Sequence, residues 1–239
     1  MIYPPIIAHR CGGALAPENT LAGLHLAARL GCRGVEFDVM LAADGVPVLI
    51  HDETLERTTS GRGRVADMGS VQLARLDAGS RHHAAFAMEP VPTLADALHR
   101  CAALGLWANV EIKPSAGQDV DTGRVVARLA AAANGKLLLS SFSSAALRSA
   151  AEEAEQLPRA LLVGAIAPDW RERMAETGAM ALHSSARALT AETLAEVLAA
   201  GFPLACYTVN RRDDAERLFA MGVSAVFTDR PDLWAASEM

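Results

Sequence analysis

The chain has 239 residues, 51% of them hydrophobic and 5% aromatic, and a formal net charge of −6. That length suits one large domain, an α/β barrel taking roughly 250 residues, and the apolar share is ample for one continuous core. The acidic balance argues against a general nucleic-acid-binding surface, so any anion site must be local.

Short apolar runs alternate with helical segments rich in alanine and leucine, the pattern of a parallel sheet with crossover helices. The first run, 6–9, closes on His9 and Arg10 and feeds a glycine-bearing loop over 11–17. A helix over 20–30 repeats Leu21, Leu24 and Ala28 on one face and stops at Gly31. Runs 34–41 and 46–51 are separated only by 42–45, where Asp44-Gly45 is a hairpin signal. So short a link cannot make a parallel crossover, which needs about a dozen residues, so the third run turns back as a hairpin arm.

Residues 53–91, with SGRGR and the adjacent His82 and His83, fit neither element type and read as an insertion over the barrel mouth. Thr93 and Asp96 make a capping box ahead of Leu94, Leu98 and Cys101. Further strand-like runs follow at 107–112, 137–141, 160–163, 180–183, 204–209 and 224–228. Helices are expected near 119–133, 143–155, 168–177, 211–220 and 231–237, and over 191–200 between a Thr190 cap and Gly201. Of nine runs, one is the hairpin arm. The remaining eight predict an α/β TIM (β/α)8 barrel with a β-hairpin extension after strand 2 and a small insertion, one domain over 1–239.

The N-terminal MIYPPIIAHR has no basic start and no cleavage signature, and no run of about 18 apolar residues appears. Cys11, Cys32, Cys101 and Cys206 lack paired or metal-ligand spacing, and the last three stand in apolar surroundings as reduced core residues. The expected setting is cytoplasmic, with no stable membrane association.

Residues two apart on a strand share a face. Glu36 and Asp38 in VEFDV therefore project together, as do Glu111 and Lys113 in NVEIK, both near strand C-termini, where barrel enzymes place their chemistry. Three carboxylates with no cysteine nearby favour one hard divalent cation, Mg2+ or Ca2+, with Mn2+ as a further candidate. Adding such an ion, Arg10 and Lys113 leaves a single positive formal charge, matched to a singly charged phosphodiester. Arg10 presents a planar fork of donors to phosphate oxygens. His9 and His51 can divide acid and base work on either side of a phosphoester. Asp52 is a weak candidate for orienting His51, because adjacent side chains on a strand diverge. His183 follows a strand and is a candidate for facing the mouth, and the serines at 143 and 144 read as helix caps.

In sum, AHRxxxxxAPENTL at 8–21, VEFDV at 35–39, DGVPVLIHD at 44–52, LERTT at 55–59, VPTLADAL at 91–98, EIK at 111–113, SSFS at 140–143, YTVN at 207–210 and TDRPD at 228–232 resemble the glycerophosphodiester phosphodiesterases of the compact bacterial cytoplasmic type. The resemblance implies a TIM barrel and metal-dependent hydrolysis of small glycerophosphodiesters, such as glycerophosphocholine or glycerophosphoethanolamine, to sn-glycerol 3-phosphate and an alcohol. It implies His9 and His51 as the acid–base pair, Glu36, Asp38 and Glu111 as metal ligands, and Arg10 and Lys113 as phosphate contacts. Asn19 falls in or close to the substrate site, with Glu18 holding Arg10. Attack by water and attack by the substrate's own glycerol hydroxyl both remain open.

Two positions depart from the family pattern. Cys11 replaces the usual glycine, tightening the phosphate loop or exposing a thiol beside it. Tyr207 replaces the tryptophan of many members, keeping an aromatic wall while adding a hydroxyl that bears on head-group or glycerol preference. A same-barrel enzyme acting on lysophospholipid or sphingomyelin-like lipids is the nearest rival, though the insertion offers Phe86 and Met88 but no clear amphipathic anchor. A non-catalytic metal-binding barrel is disfavoured because every candidate group is present.

Overall fold

A computed structural model describes residues 3–234. Its strands are β1 (Ile6–Ala8), β2 (Gly34–Leu41), β3 (Pro47–Leu49), β4 (Trp107–Ile112), β5 (Leu137–Ser141), β6 (Arg159–Val163), β7 (Ala181–Ser185), β8 (Leu204–Tyr207) and β9 (Ala225–Thr228). Neighbouring strands pair in parallel around the ring, and β1 pairs with both β2 and β9, at Ile7↔Gly34 and Ile7↔Phe227, which closes the barrel. The exception is β3, which runs antiparallel to β2 with Val39 opposite Leu49. Its turn places Gly45 at φ +76, a conformation that glycine adopts without strain. The hairpin expected from Asp44-Gly45 therefore forms and leaves eight strands in the barrel.

Long helices fill the crossovers: α1 (Leu21–Arg29), α3 (Leu94–Leu104), α4 (Asp119–Ala132), α5 (Ser144–Glu153), α6 (Trp170–Thr177), α7 (Ala191–Ala199) and α8 (Arg212–Ala220), with a one-turn α2 (Ser70–Leu73) between β3 and α3. Their starts are chemically marked. Thr20, Ser143 and Thr190 each accept a backbone N–H of the first turn, and Thr93 and Asp96 form the expected reciprocal box. The helix expected over 231–237 is a 3-10 turn at Pro231–Leu233, and positions 235–237 lie outside the described residues. Among the described residues no helix is long and apolar enough to cross a membrane.

Three apolar clusters result. The largest lies between barrel and helices, where Leu24, Val35, Phe37, Leu94, Leu139 and Trp170 are essentially without solvent contact. A second joins Tyr3, Ile7, Leu138, Phe227 and four alanines (Ala160, Ala181, Ala205, Ala225), whose small side chains leave room for Tyr3. The Tyr3 ring stands edge-on to Trp107 at 5.8 Å, and its hydroxyl lies 3.0 Å from His183 Nε2. A third cluster unites the outer face of the hairpin (Met40, Val48, Ile50) with Leu55, Val65 and Leu73 from the 53–91 segment. That segment contains little regular structure because its apolar residues serve this small satellite core.

His183 is fully buried, and burial lowers its pKa to about 3. Unfolding restores an ordinary histidine near 6.5, so between those values the unfolded chain binds the extra proton and stability falls as pH falls. From pH 7.5 to pH 5 this group alone should remove about 2 kcal/mol. Urea unfolding of the wild type and of His183→Gln at both pH values checks this, the variant being expected to lack that part of the pH dependence.

Candidate active site

The β2–β4 register sets Asp38 beside Glu111 and Glu36 beside Asn109. All four therefore point into the barrel, and one carboxylate oxygen each from Glu36, Asp38 and Glu111 lie within 4.8 Å of one another. All three residues are buried. Burial pushes the Glu36 carboxyl well above the usual range, with Asp38 and Glu111 adding to the effect. Burial likewise takes Glu111 to about 8, the nearby Asp38 charge reinforcing it. Asp38 is held low: burial opposes its charge, but Lys113, His51 and Arg10 outweigh that cost. The Oε1 atom of Glu36 is buried without a hydrogen-bond partner. An oxygen-only, crowded and partly unsatisfied donor set fits a hard divalent cation.

The loop after β1 is moulded onto this cluster. Arg10 N–H donates to Glu36 Oε2 at 2.8 Å, and Cys11 N–H to the Glu36 carbonyl at 2.7 Å. Arg10, Cys11 and Asn19 hold φ of +49°, +76° and +57°, conformations that cost side-chain-bearing residues about 1–3 kcal/mol each and persist only where surroundings enforce them. Gly13, at φ +62°, lies so close to the Asp229 backbone that a Cβ would come within 2.4 Å of its carbonyl oxygen. Asn19 clamps Asp38 from both sides, its amide donating to Oδ2 at 2.9 Å and its carbonyl accepting the Asp38 N–H at 3.0 Å. Asn19 thus touches a cluster carboxylate directly, and Glu18 accepts from Arg10 Nη1 as expected.

Each histidine has one nitrogen fixed by a carboxylate. His9 Nδ1 pairs with Asp229 Oδ1 at 2.7 Å, leaving Nε2 3.9 Å from Glu36. His51 Nδ1 pairs with Asp52 Oδ1 at 2.6 Å, and its Nε2 accepts from Lys113 at 2.8 Å. Burial lowers the His51 pKa, opposed by Asp38 and Asp52. The Asp52 contact corrects the expectation that neighbouring side chains diverge: β3 ends at Leu49, so 51–52 are no longer extended strand. Asp229 was missed altogether, although it sits in the TDRPD motif. It is also held by Asn210 of YTVN, whose amide donates to Oδ2 at 2.9 Å.

The three carboxylates, His9, His51, Arg10 and Lys113 line a cavity of about 260 Å³ with Phe142, Tyr207 and Phe227 on its apolar side. Tyr207 stands edge-on to Phe142, and its hydroxyl donates to the Val163 carbonyl at 2.9 Å. The extra hydroxyl is therefore engaged by backbone, and the ring serves as wall. His183 also borders the cavity from below, while His82 and His83 stand exposed on the 53–91 segment. Cys11 points away from the cavity against Gly23 of α1, where an added Cβ would lie 2.8 Å from its own. Its thiol is fully buried, and burial pushes its pKa well up. Of the two consequences expected of Cys11, an exposed thiol does not arise.

Residues 9–233 match the model of the glycerophosphoryl diester phosphodiesterase family. A glycerophosphodiester phosphodiesterase of Caldanaerobacter subterraneus is 33% identical over 231 residues, covering 95% of this chain and 94% of the relative. Among solved structures, an Oleispira antarctica phosphodiesterase in complex with the product sn-glycerol-3-phosphate superposes with a TM-score of 0.93 at 36% identity, covering 96% of this chain and 94% of that one. A glycerophosphodiester phosphodiesterase from Agrobacterium tumefaciens gives 0.77 at 28% identity, covering 98% and 100%.

All four cysteines are buried and none is in a disulfide. Native protein treated with a thiol-specific reagent should therefore keep its activity and react only once unfolded. Rapid native labelling at Cys11, read by mass spectrometry, would contradict the inward placement.

Proposed function

The chain belongs to the glycerophosphoryl diester phosphodiesterase family, and we propose that His9 and His51 share the acid–base work of its reaction, hydrolysis of glycerophosphodiesters to sn-glycerol 3-phosphate and an alcohol. Glu36, Asp38 and Glu111 would hold the cation, and their all-oxygen set suits Mg2+ or Ca2+ and also accommodates Mn2+. When bound, such an ion polarises a phosphoryl oxygen and offsets charge building up in the transition state. The observation that carries the reading is that this buried cluster shares one cavity with both histidines.

Arg10 and Lys113 flank the cluster and supply donors to the non-bridging oxygens of the diester. Asp229 and Asp52 each accept from an Nδ1–H, which makes Nε2 the nitrogen of each ring that exchanges a proton with substrate; at His51 that nitrogen gives up its bond from Lys113 as Lys113 turns to the diester. One histidine takes the proton of the attacking oxygen, whether of water or of the substrate's own glycerol hydroxyl, and the other gives one to the departing alkoxide. Asn19 keeps Asp38 aimed at the cluster. Phe142 and Tyr207 bound the space left for the organic groups. The substrate in this reading is a small diester of the glycerophosphoethanolamine type. Residues 53–91 form an insertion over the mouth within one domain spanning the chain, and four buried cysteines outside any disulfide support a cytoplasmic setting.

Metal-stripped protein given glycerophosphoethanolamine should release no sn-glycerol 3-phosphate until Mg2+ or Ca2+ is added. In the reconstituted enzyme, His9→Ala and His51→Ala should each lower kcat by about 10²–10⁴-fold. Full turnover in both variants would overturn the pairing, and full turnover by metal-free protein would overturn the role of the carboxylates.

A further inference from the structure

Arg57 belongs to the LERTT motif of the 53–91 segment. Its guanidinium meets two carboxylates at once. Nε and Nη2 donate to Asp52 at 2.5 and 3.0 Å, and Nη1 and Nη2 donate to Glu18 at 2.7 and 2.8 Å. Each carboxylate has a second client inside the site: Asp52 holds His51, and Glu18 holds Arg10 through Nη1 at 3.2 Å. Arg57 is thus the shared member of a chain running His51–Asp52–Arg57–Glu18–Arg10.

The segment that presents Arg57 is anchored. Leu55 is buried in the satellite core, Thr59 closes a turn back onto the Leu55 carbonyl through N–H and hydroxyl, and the Arg81 side chain donates to the Thr59 carbonyl. The Arg57 side chain is half-exposed, at 47%. An isolated ion pair at such exposure contributes little, but a fork engaged on two carboxylates fixes orientation.

We propose that Arg57 is a positioning residue: by drawing Glu18 to itself through shorter bonds it weakens the hold of Glu18 on Arg10, and by occupying Asp52 it locks the carboxylate that orients His51. The inference rests on Arg10 serving as a phosphate donor and His51 as an acid–base group. Without Arg57, Glu18 has Arg10 as its remaining partner and competes with the diester for the same guanidinium. Glu18 is consequently harmful in the absence of Arg57, an outcome that a merely structural role for Arg57 does not produce.

The test is steady-state kinetics of the full-length, metal-loaded enzyme on glycerophosphoethanolamine. Arg57→Gln should raise KM by about tenfold, the size of losing one charge-assisted hydrogen bond, and should also lower kcat. Adding Glu18→Gln to that variant should return KM to within about threefold of wild type while the kcat deficit persists, a non-additivity that independent sites do not show. Arg57→Lys keeps the charge but loses the fork, so it should also raise KM. A double variant with KM no lower than that of Arg57→Gln overturns the proposal, as does a wild-type KM in Arg57→Lys. Arg10→Gln separates the two levels: a wild-type KM there overturns Arg10 as a phosphate donor, whereas a raised KM without relief by Glu18→Gln overturns the role of Arg57 alone.

Discussion

Three carboxylates buried within 4.8 Å of one another dominate the molecule's electrostatics. Removing even one such charge from water is expensive, and like charges at this distance repel strongly in a low-dielectric interior. Much of the surrounding architecture answers that cost. Arg10 and Lys113 place cationic groups 3.7 and 3.5 Å from Asp38, Asn19 donates to that carboxylate while accepting the Asp38 backbone N–H, and the Arg10 N–H of the β1 loop turns onto the Glu36 carboxylate. The left-handed conformations of Arg10, Cys11 and Asn19 follow from that loop having to approach β2 so closely. A buried, underpaired cluster of carboxylate oxygens has the donor set that a hard divalent cation takes.

Much of this was legible in the chain. Strands buried on both faces read as continuous apolar runs, and helices between them carried their caps as threonine and serine. The spacing of two between Glu36 and Asp38 fixed a shared face whatever the details of the fold, and Asp44-Gly45 marked the one strand that does not enter the barrel. The cluster and both histidines could be named because strand periodicity and parallel topology bring strand C-termini together.

What escaped the sequence depends on geometry beyond the strand ends. Asp52 was discounted by a rule for extended chain, yet the chain has left the strand before His51. Asp229 is chemically ordinary and lies 220 positions from the histidine it orients, a pairing no local pattern encodes. Arg57 sits in a segment without periodicity, where the apolar residues that position it serve a separate small core. Cys11 occupies a backbone conformation that favours glycine, and only the close approach to Gly23 reveals which way its side chain turns. In each case the missing information is a distance between segments far apart in sequence.

The pairing of β1 with β9 joins nearly the first and last described segments of the chain. Histidine 9 is synthesised early, but the carboxylate that sets its tautomer belongs to the loop after the last strand. During translation the loop after β1 therefore emerges long before its full support: Glu36 on β2 can engage Arg10 and Cys11 early, but the contacts of His9, Gly13 and Ala14 with Thr228 and Asp229 form only when β9 docks. Catalytic competence should thus arise late and abruptly as the nascent chain leaves the ribosome, making turnover a reporter of ring closure rather than of local folding.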